Sequence, residues 1–339
     1  MPNQLPAKRP STQLPSTLET IMEQAKGYSD AARAENTRRA YEADWRHFES
    51  WCKTHGLSPL PALPGTLAAY LAGHASELKV STLGRRLAAI RAVHLYSGQP
   101  VDLTAQAFRD VWAGIRRTHG GQQTKKRALL TADLRKAVAI LPDSVIGIRD
   151  RALLLIGFAS AMRRSELAAI VVGNKPGHRV RFTDKGLVIE VGRSKSDQES
   201  KGAVIGIPFG SHAETCPVRA LRAWLDASGI TSGPVFRSVT RHGHINKSAM
   251  TGHGIALAVK RAVFRTALAD GYDKKAAYTL ADTVGGHSLR AGFVTSADAA
   301  GAPIAKVMEQ ARHVRFETTR GYIREADAFR DNAASYLGL

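Results

Sequence analysis

The spacing of apolar residues changes along this 339-residue chain, and that change constrains the fold more than any other feature. From about Asp30 to His119 apolar residues recur every three or four positions, which is the period of an amphipathic helix. After Ile170 short β-type runs appear, and helical spacing returns from Pro217 onward. The sequence therefore predicts two domains, one all-helical and one mostly helical with a small sheet.

The N-terminal part of the chain is predicted to be a small all-helical domain. Residues 1–17 hold four prolines and several Ser and Thr, so residues 1–27 are expected to form a flexible arm. The domain itself is expected at residues 28–118, with glycine and prolines breaking the chain after the first helix. Four helices are predicted: one from near Asn36 that carries Tyr41, Trp45, Phe48 and Cys52, one at Leu67–Ala75, one around Leu83–Val93, and one at about Ala105–Arg117.

A short basic segment separates this domain from the rest of the chain. Residues 119–127 run His-Gly-Gly-Gln-Gln-Thr-Lys-Lys-Arg, which is typical of a linker. Beyond it, residues 128–339 are predicted to form a mostly helical α+β domain that ends in a helix at 326–338. A small antiparallel sheet is expected from three runs, Val180–Phe182, Leu187–Val191 and Val204–Ile207.

Charge and composition limit the partners and the setting of the chain. Its 48 Lys and Arg exceed its 29 Asp and Glu by 19, which favours a nucleic acid over a membrane surface as partner. Hydrophobic residues make up 44% of the chain, which excludes a largely disordered protein. With two cysteines, Cys52 and Cys216, no disulfide framework is expected. The absence of a long apolar run or an apolar leader predicts a cytoplasmic protein without a membrane span.

The second domain contains six basic or phenolic side chains in an order suited to phosphate chemistry. Each alone is common, because such residues are ordinary in helices, turns and cores. Their combined spacing is specific: a His-x-x-Arg motif is followed by a histidine and, nine residues later, by a tyrosine. In chain order they are Arg163, Lys195, His287, Arg290, His313 and Tyr322.

This set resembles the catalytic residues of the tyrosine recombinase (phage integrase) family, and the resemblance runs from about Asp30 to the C-terminus. It implies that the six residues are catalytic and that Glu166 occupies the family's acidic position. It also implies an all-α core-binding domain and an α+β catalytic domain that clamp duplex DNA. The implied activity is site-specific recombination through a 3′-phosphotyrosyl intermediate and a Holliday junction, with no cofactor or metal.

The resemblance further implies a tetramer on DNA that carries a specific recombination site. The closing helix at 326–338 is similar to the helix that Cre-like members exchange between protomers. The sequence leaves open the other interpretation, a helix packed on its own domain.

The chemistry explains why these residue types are needed. Two arginines can bind the non-bridging oxygens of a phosphodiester, where negative charge grows during attack. Histidines can donate to the same oxygens or exchange a proton with the nucleophile, which would be Tyr322. Lys195 would protonate the leaving 5′ oxygen. Glu166 would tether an active-site arginine or histidine, because a free carboxylate would repel the phosphate.

The sequence departs from the family at two positions. Ala161 lies two residues before Arg163, and Arg312 lies just before His313, where the family often has glycine. Neither change removes a catalytic group. We expect Arg312 to perturb the local turn and the placing of His313.

Further cations are expected to contact the DNA backbone, although a solvated face would explain the same residues. Three other functions stay open at this point: a type IB topoisomerase, a non-catalytic DNA-binding protein and a structural nucleoid protein. The candidate DNA contacts are Arg85, Arg86, Arg91, Lys125, Lys126 and Arg127.

Overall fold

The computed structural model describes residues 35–121, 125–192, 202–323 and 337. The chain divides into two compact units, Met1–Gln123 and Thr124–Leu339. The predicted arm at 1–27, the turn that holds Lys195 and, apart from residue 337, the closing helix at 326–338 lie outside the described residues. Within the described ranges, no helix is both long and apolar enough to cross a membrane.

The described part of the N-terminal unit is helical, as predicted. The predicted apolar stripe on its first helix fully buries Phe48 and Cys52. The second helix begins before its predicted start, because Pro64, expected to break the chain, opens the helix instead; a first-turn residue needs no amide donor. The helices are α1 (Glu35–Thr54), α2 (Pro64–Gly73), α3 (Val80–Tyr96) and α4 (Gln106–His119).

The second unit is built around one helix that is buried on most of its surface. Its sequence contains the unbroken apolar run Ala152–Ile156, all of it inside the core, and it packs against five other helices in the described part of the unit. That helix is α6 in the following series: α5 (Thr131–Ala139), α6 (Val145–Ala159), α7 (Arg164–Ala168), α8 (Pro217–Ser228), α9 (Gly252–Ala269), α10 (Lys274–Asp282), α11 (Ser288–Ala299), α12 (Ile304–Ala311) and α13 (Phe316–Ile323).

The second unit also contains a five-stranded sheet. The three predicted strands pair antiparallel, with Arg181 opposite Val188 and Ile189 opposite Ile205. The predicted sheet was incomplete, because two very short strands extend it and one of them pairs in parallel, which makes the sheet mixed. The strands are β1 (Ile170–Val172), β2 (His178–Thr183), β3 (Gly186–Val191), β4 (Ala203–Pro208) and β5 (Gly233–Pro234), in the order β4-β3-β2-β1-β5; β6 (Arg237–Val239) and β7 (Ile245–Ala249) form a separate hairpin.

Candidate active site

Arg163 and Glu166 form the first part of the site, at the start of α7. Arg163 is the N-cap residue, and its backbone N–H donates to Glu166 Oε2 at 2.9 Å. Its guanidinium donates from Nη1 to Oε1 of the same carboxylate at 2.7 Å. Burial alone would raise the pKa of the Glu166 carboxyl, but Arg312 and the hydrogen bonds from Arg163 outweigh burial and leave that pKa lowered. Glu166 is therefore an ionised carboxylate that holds arginine side chains.

Arg290 lies on α11 and is almost completely buried, at 1% exposed. Its Nη1 donates to the carbonyl oxygen of Ala161 at 2.8 Å. The helix approaches neighbouring backbone very closely, since a Cβ added to Gly292 would lie 1.8 Å from the Leu129 carbonyl oxygen. Burial, followed by neighbouring arginines, lowers the pKa of Arg290 to about 10, so the guanidinium keeps its charge at neutral pH.

The phenol of Tyr322, near the end of α13, contacts His287 at the start of α11. His287 Nε2 and the Tyr322 hydroxyl share a hydrogen bond. Burial, then Arg290 and Arg163, lower the pKa of His287. The imidazole is therefore neutral at physiological pH, and the hydroxyl of Tyr322 has a group able to accept its proton in direct contact.

His313 stacks on the ring of Tyr322. Its ring is nearly parallel to that of Tyr322, with centroids 5.8 Å apart. Nδ1 shares a hydrogen bond of 2.7 Å with Thr319 Oγ1, whereas Nε2 is buried and has no partner in the described part of the chain. Burial, then Arg290 and Arg163, lower the pKa of His313 to about 4, so this imidazole is also neutral at physiological pH.

The two positions where the family often has glycine share an unusual backbone conformation. Ala161 and Arg312 have φ of 49° and 54°, and they are the non-glycine residues with positive φ in the described ranges. The perturbed turn expected at Arg312 is not found, because the arginine adopts the left-handed conformation that glycine favours. Its side chain donates from Nη2 to Glu166 Oε2.

The structure thus brings five of the six predicted catalytic side chains, together with Glu166, into one electrostatically coupled group. Lys195 lies outside the described residues. The sequence did not reveal two threonines that hydrogen-bond to Tyr322 and His313. Thr295 Oγ1 donates to the Tyr322 carbonyl oxygen at 3.4 Å, and Thr319, which contacts His313, is fully buried. Neither threonine belongs to a recognisable motif, so the sequence carried no signal for them.

The candidate DNA-contact residues differ in whether they bind other residues of their own unit. In the N-terminal unit Arg85 pairs with Asp44, Arg86 is mostly buried, and Arg91 is exposed on α3. In the second unit the three linker cations contact backbone or side-chain oxygens: Lys125 Nζ donates to the Gly321 carbonyl at 2.9 Å, Lys126 Nζ donates to the Asp282 carbonyl, and Arg127 Nη1 donates to Asp133 Oδ2 at 3.0 Å.

With this geometry in place, comparison with known proteins is decisive. Residues 127–328 match the phage integrase family, and residues 28–97 match the N-terminal SAM-like domain of phage integrases. The chain belongs to the phage integrase family. It is a tyrosine-type site-specific recombinase, so the implied fold class and the implied site-specific recombination by tyrosine-mediated cleavage and rejoining are confirmed.

Similar proteins include one relative that aligns over most of both chains and two proteins of solved structure. The integrase/recombinase xerD homolog of Selenomonas ruminantium is 34% identical over 94% of this chain and 90% of that protein. The Tn1549 transposon integrase in complex with circular intermediate DNA has a TM-score of 0.59 at 16% identity, covering 95% of this chain and 98% of that one. XerH site-specific recombinase bound to a palindromic difH substrate has a TM-score of 0.56 at 18% identity, covering 82% and 73%. Both structures support the fold.

Proposed function

We propose that Tyr322 is the nucleophile of strand cleavage and that His287 accepts its proton. The observation that carries this assignment is the hydrogen bond between the Tyr322 hydroxyl and a neutral His287, beside two arginines. The Tyr322 oxygen bonds to phosphorus, the bond from phosphorus to the 5′ oxygen breaks, and the 3′ phosphate stays on the tyrosine. The phenolic proton passes to His287 Nε2.

The phosphate is held by the remaining cationic and imidazole groups. Arg163 and Arg290 bind the non-bridging oxygens, where charge builds during in-line attack. His313 donates to the same oxygens through Nε2, which has no partner in the described residues. Lys195 protonates the leaving 5′ oxygen, and Glu166 orients Arg163. The new phosphotyrosyl bond keeps the bond energy, so rejoining needs no nucleotide cofactor.

The substrate is duplex DNA with a specific recombination site, and the reaction proceeds through a Holliday junction on a tetramer. Covalent trapping tests the nucleophile. The protein is incubated with nicked duplexes from the DNA flanking its gene, and adducts are isolated under denaturing conditions. Tyr322→Phe is expected to give none, whereas Tyr278→Phe, an exposed tyrosine on α10, keeps them. Adducts that persist with Tyr322→Phe overturn the assignment.

The tetramer is proposed to form by exchange of the closing helix between protomers. Leu337 is 68% exposed within its own chain, which fits a side chain that docks elsewhere. We expect Leu337→Asp to reduce the number of protomers on paired DNA sites, measured by sedimentation, while cleavage of a single nicked site continues. An intact tetramer with a lower melting temperature would instead favour a helix packed on its own domain.

A further inference from the structure

Arg312 adopts a backbone conformation that disfavours its own side chain. With φ of 54° and ψ of 49°, it caps α12 in the left-handed region. Glycine adopts this region freely, and residues with a Cβ do so at a cost. Strain of this kind persists where surrounding contacts offset it, so the side chain of Arg312 is expected to make a contribution of its own.

The guanidinium of Arg312 lies below the surface of the site. Its side chain is 11% exposed, and Nη2 donates to Glu166 Oε2. Nε and Nη1 are buried and have no hydrogen-bond partner among the described residues. The side-chain hydrogen bond that the structure gives Arg312 is the one to Glu166. This contact is therefore the interaction through which Arg312 can act.

Glu166 links Arg312 to the phosphate-binding Arg163. Oε1 accepts from Arg163 Nη1, while Oε2 accepts from the Arg163 backbone N–H and from Arg312. Without Arg312, the donors to both oxygens would belong to one residue, Arg163. A second guanidinium on Oε2 leaves the carboxylate one favourable orientation, and this orientation fixes the donor geometry at Arg163.

We propose that Arg312 is a positioning residue: it fixes the carboxylate of Glu166 and, through it, the guanidinium of Arg163 on the scissile phosphate. Arg312 contacts neither the DNA nor the nucleophile. This inference rests on the proposed phosphate-binding role of Arg163.

The first test separates rate from affinity with three variants at one position. Arg312→Met removes the ion pair, Arg312→Gly removes it while giving the backbone the residue it favours, and Arg312→Lys keeps one charge. We expect Met and Gly to lower the cleavage rate at saturating nicked duplex by about 100-fold, the usual cost of a misplaced catalytic group, with unchanged DNA affinity. Lys is expected to restore part of the rate. Lys306→Met, which breaks an exposed pair with Glu309 near the start of α12, serves as the matched control with wild-type rate.

The second test needs no DNA. In protein labelled with ¹³C,¹⁵N-arginine, the Nη resonances of Arg163, assigned with Arg163→Lys, report how freely its guanidinium rotates. We expect resolved Nη–H signals in the wild type and in Lys306→Met, and averaged signals in Arg312→Met and Arg312→Gly. If Arg312→Met fails to fold, Arg312→Gly still provides both readouts.

Two outcomes would overturn the inference. One is an Arg312→Gly variant with wild-type rate and intact Arg163 signals. The other is a variant that loses DNA affinity in place of rate, which would make Arg312 a direct phosphate ligand. A different pattern tests the proposed function: averaged Arg163 signals in Arg312→Met, combined with normal cleavage by Arg163→Met, would keep the positioning link and refute the role of Arg163.

Discussion

Each unit contains a carboxylate that holds two arginines beside a tyrosine–histidine pair, yet the two groups differ in how far the tyrosine is exposed to solvent. The Asp44 cluster, in the N-terminal unit, consists of Asp44, Arg85, Arg86, His47 and Tyr70. The Glu166 site, in the second unit, consists of Glu166, Arg163, Arg312, His287 and Tyr322. The same residue types thus occur twice in one chain, and residue type alone does not define an active site.

The two tyrosines show what separates the groups. Tyr70 is fully buried; its hydroxyl accepts from Arg86 Nη1 and shares a bond with His47 Nδ1, both at 2.9 Å, and burial raises its pKa. Tyr322 is half-buried, and the histidine stacked on it keeps a nitrogen without a partner in the described ranges. We infer that the Asp44 cluster is structural, because its tyrosine is closed off from solvent, whereas the tyrosine of the Glu166 site stays open to a substrate.

Exchanging each tyrosine for phenylalanine gives the largest expected difference. Tyr322→Phe should abolish covalent DNA adducts and change the melting temperature little, because one partly exposed hydrogen bond is lost. Tyr70→Phe should keep adduct formation and destabilise the N-terminal unit by about 1–3 kcal/mol, because buried partners lose a hydrogen bond. Gel-resolved adducts and urea unfolding measure both effects. An inactive but stable Tyr70→Phe would break the comparison.

Arginine-to-lysine changes test the same contrast at the cations. Arg290→Lys replaces a guanidinium, which can donate two hydrogen bonds to the phosphate at once, with a single ammonium group. It should lower the cleavage rate by about 100- to 1,000-fold, the range for losing one oxyanion donor. Arg86→Lys, in the Asp44 cluster, should leave the rate at saturating DNA unchanged. Single-turnover cleavage of a nicked duplex provides the measurement. Equal losses from the two variants would show that the N-terminal cluster also takes part in the reaction.

Acid titration compares a histidine from each group. Folding lowers the pKa of His313 from 6.5 to about 4. Between these two pH values the imidazole is therefore protonated in the unfolded chain and neutral in the folded chain. This stabilisation is fully present above pH 6.5 and is lost as the pH falls toward 4, a loss of about 3 kcal/mol.

His313→Gln should therefore flatten the fall in unfolding free energy between pH 6.5 and 4, measured by urea titration at several pH values. His47→Gln should flatten it less. The pKa of His47 is also lowered, by burial and then by Arg86, but its ring shares a hydrogen bond with Tyr70 and lies against solvent. A pH dependence unchanged by His313→Gln would contradict the burial of a neutral imidazole.

Local patterns in the sequence predicted much of the fold. The amphipathic stripe with Phe48 and Cys52 predicted α1, and alternating runs predicted the antiparallel part of the sheet. Strands β1 and β5 were missed because two or three residues carry no measurable period. Helix α13, which carries Tyr322, was also missed, since its apolar face is short.

The sequence predicted which residues form the candidate site, but it did not predict the contacts between them. The His-x-x-Arg spacing predicted that His287 and Arg290 belong to one site, and the structure has both at the start of α11. Arg312 was expected to disturb a turn, and instead it binds Glu166. Arg312 and Glu166 are far apart in the chain, so no local spacing in the sequence reveals their contact. The left-handed backbone of Arg312 is stabilised by that same contact, so it could not be predicted either.

The smallest expected effect concerns two arginines of α3 that differ in their partners. Arg85 is paired with Asp44, whereas Arg91 is exposed and has no ion pair in the described part of the chain. If Arg91 binds a DNA phosphate, Arg91→Met should weaken DNA binding uniformly across sequences and reduce the slope of log affinity against log salt by about 1. Arg85→Met should change the slope less, because binding a phosphate would require Arg85 to release Asp44. Fluorescence anisotropy at several salt concentrations measures both slopes, and a larger change for Arg85 would mean that the Asp44 cluster opens onto DNA.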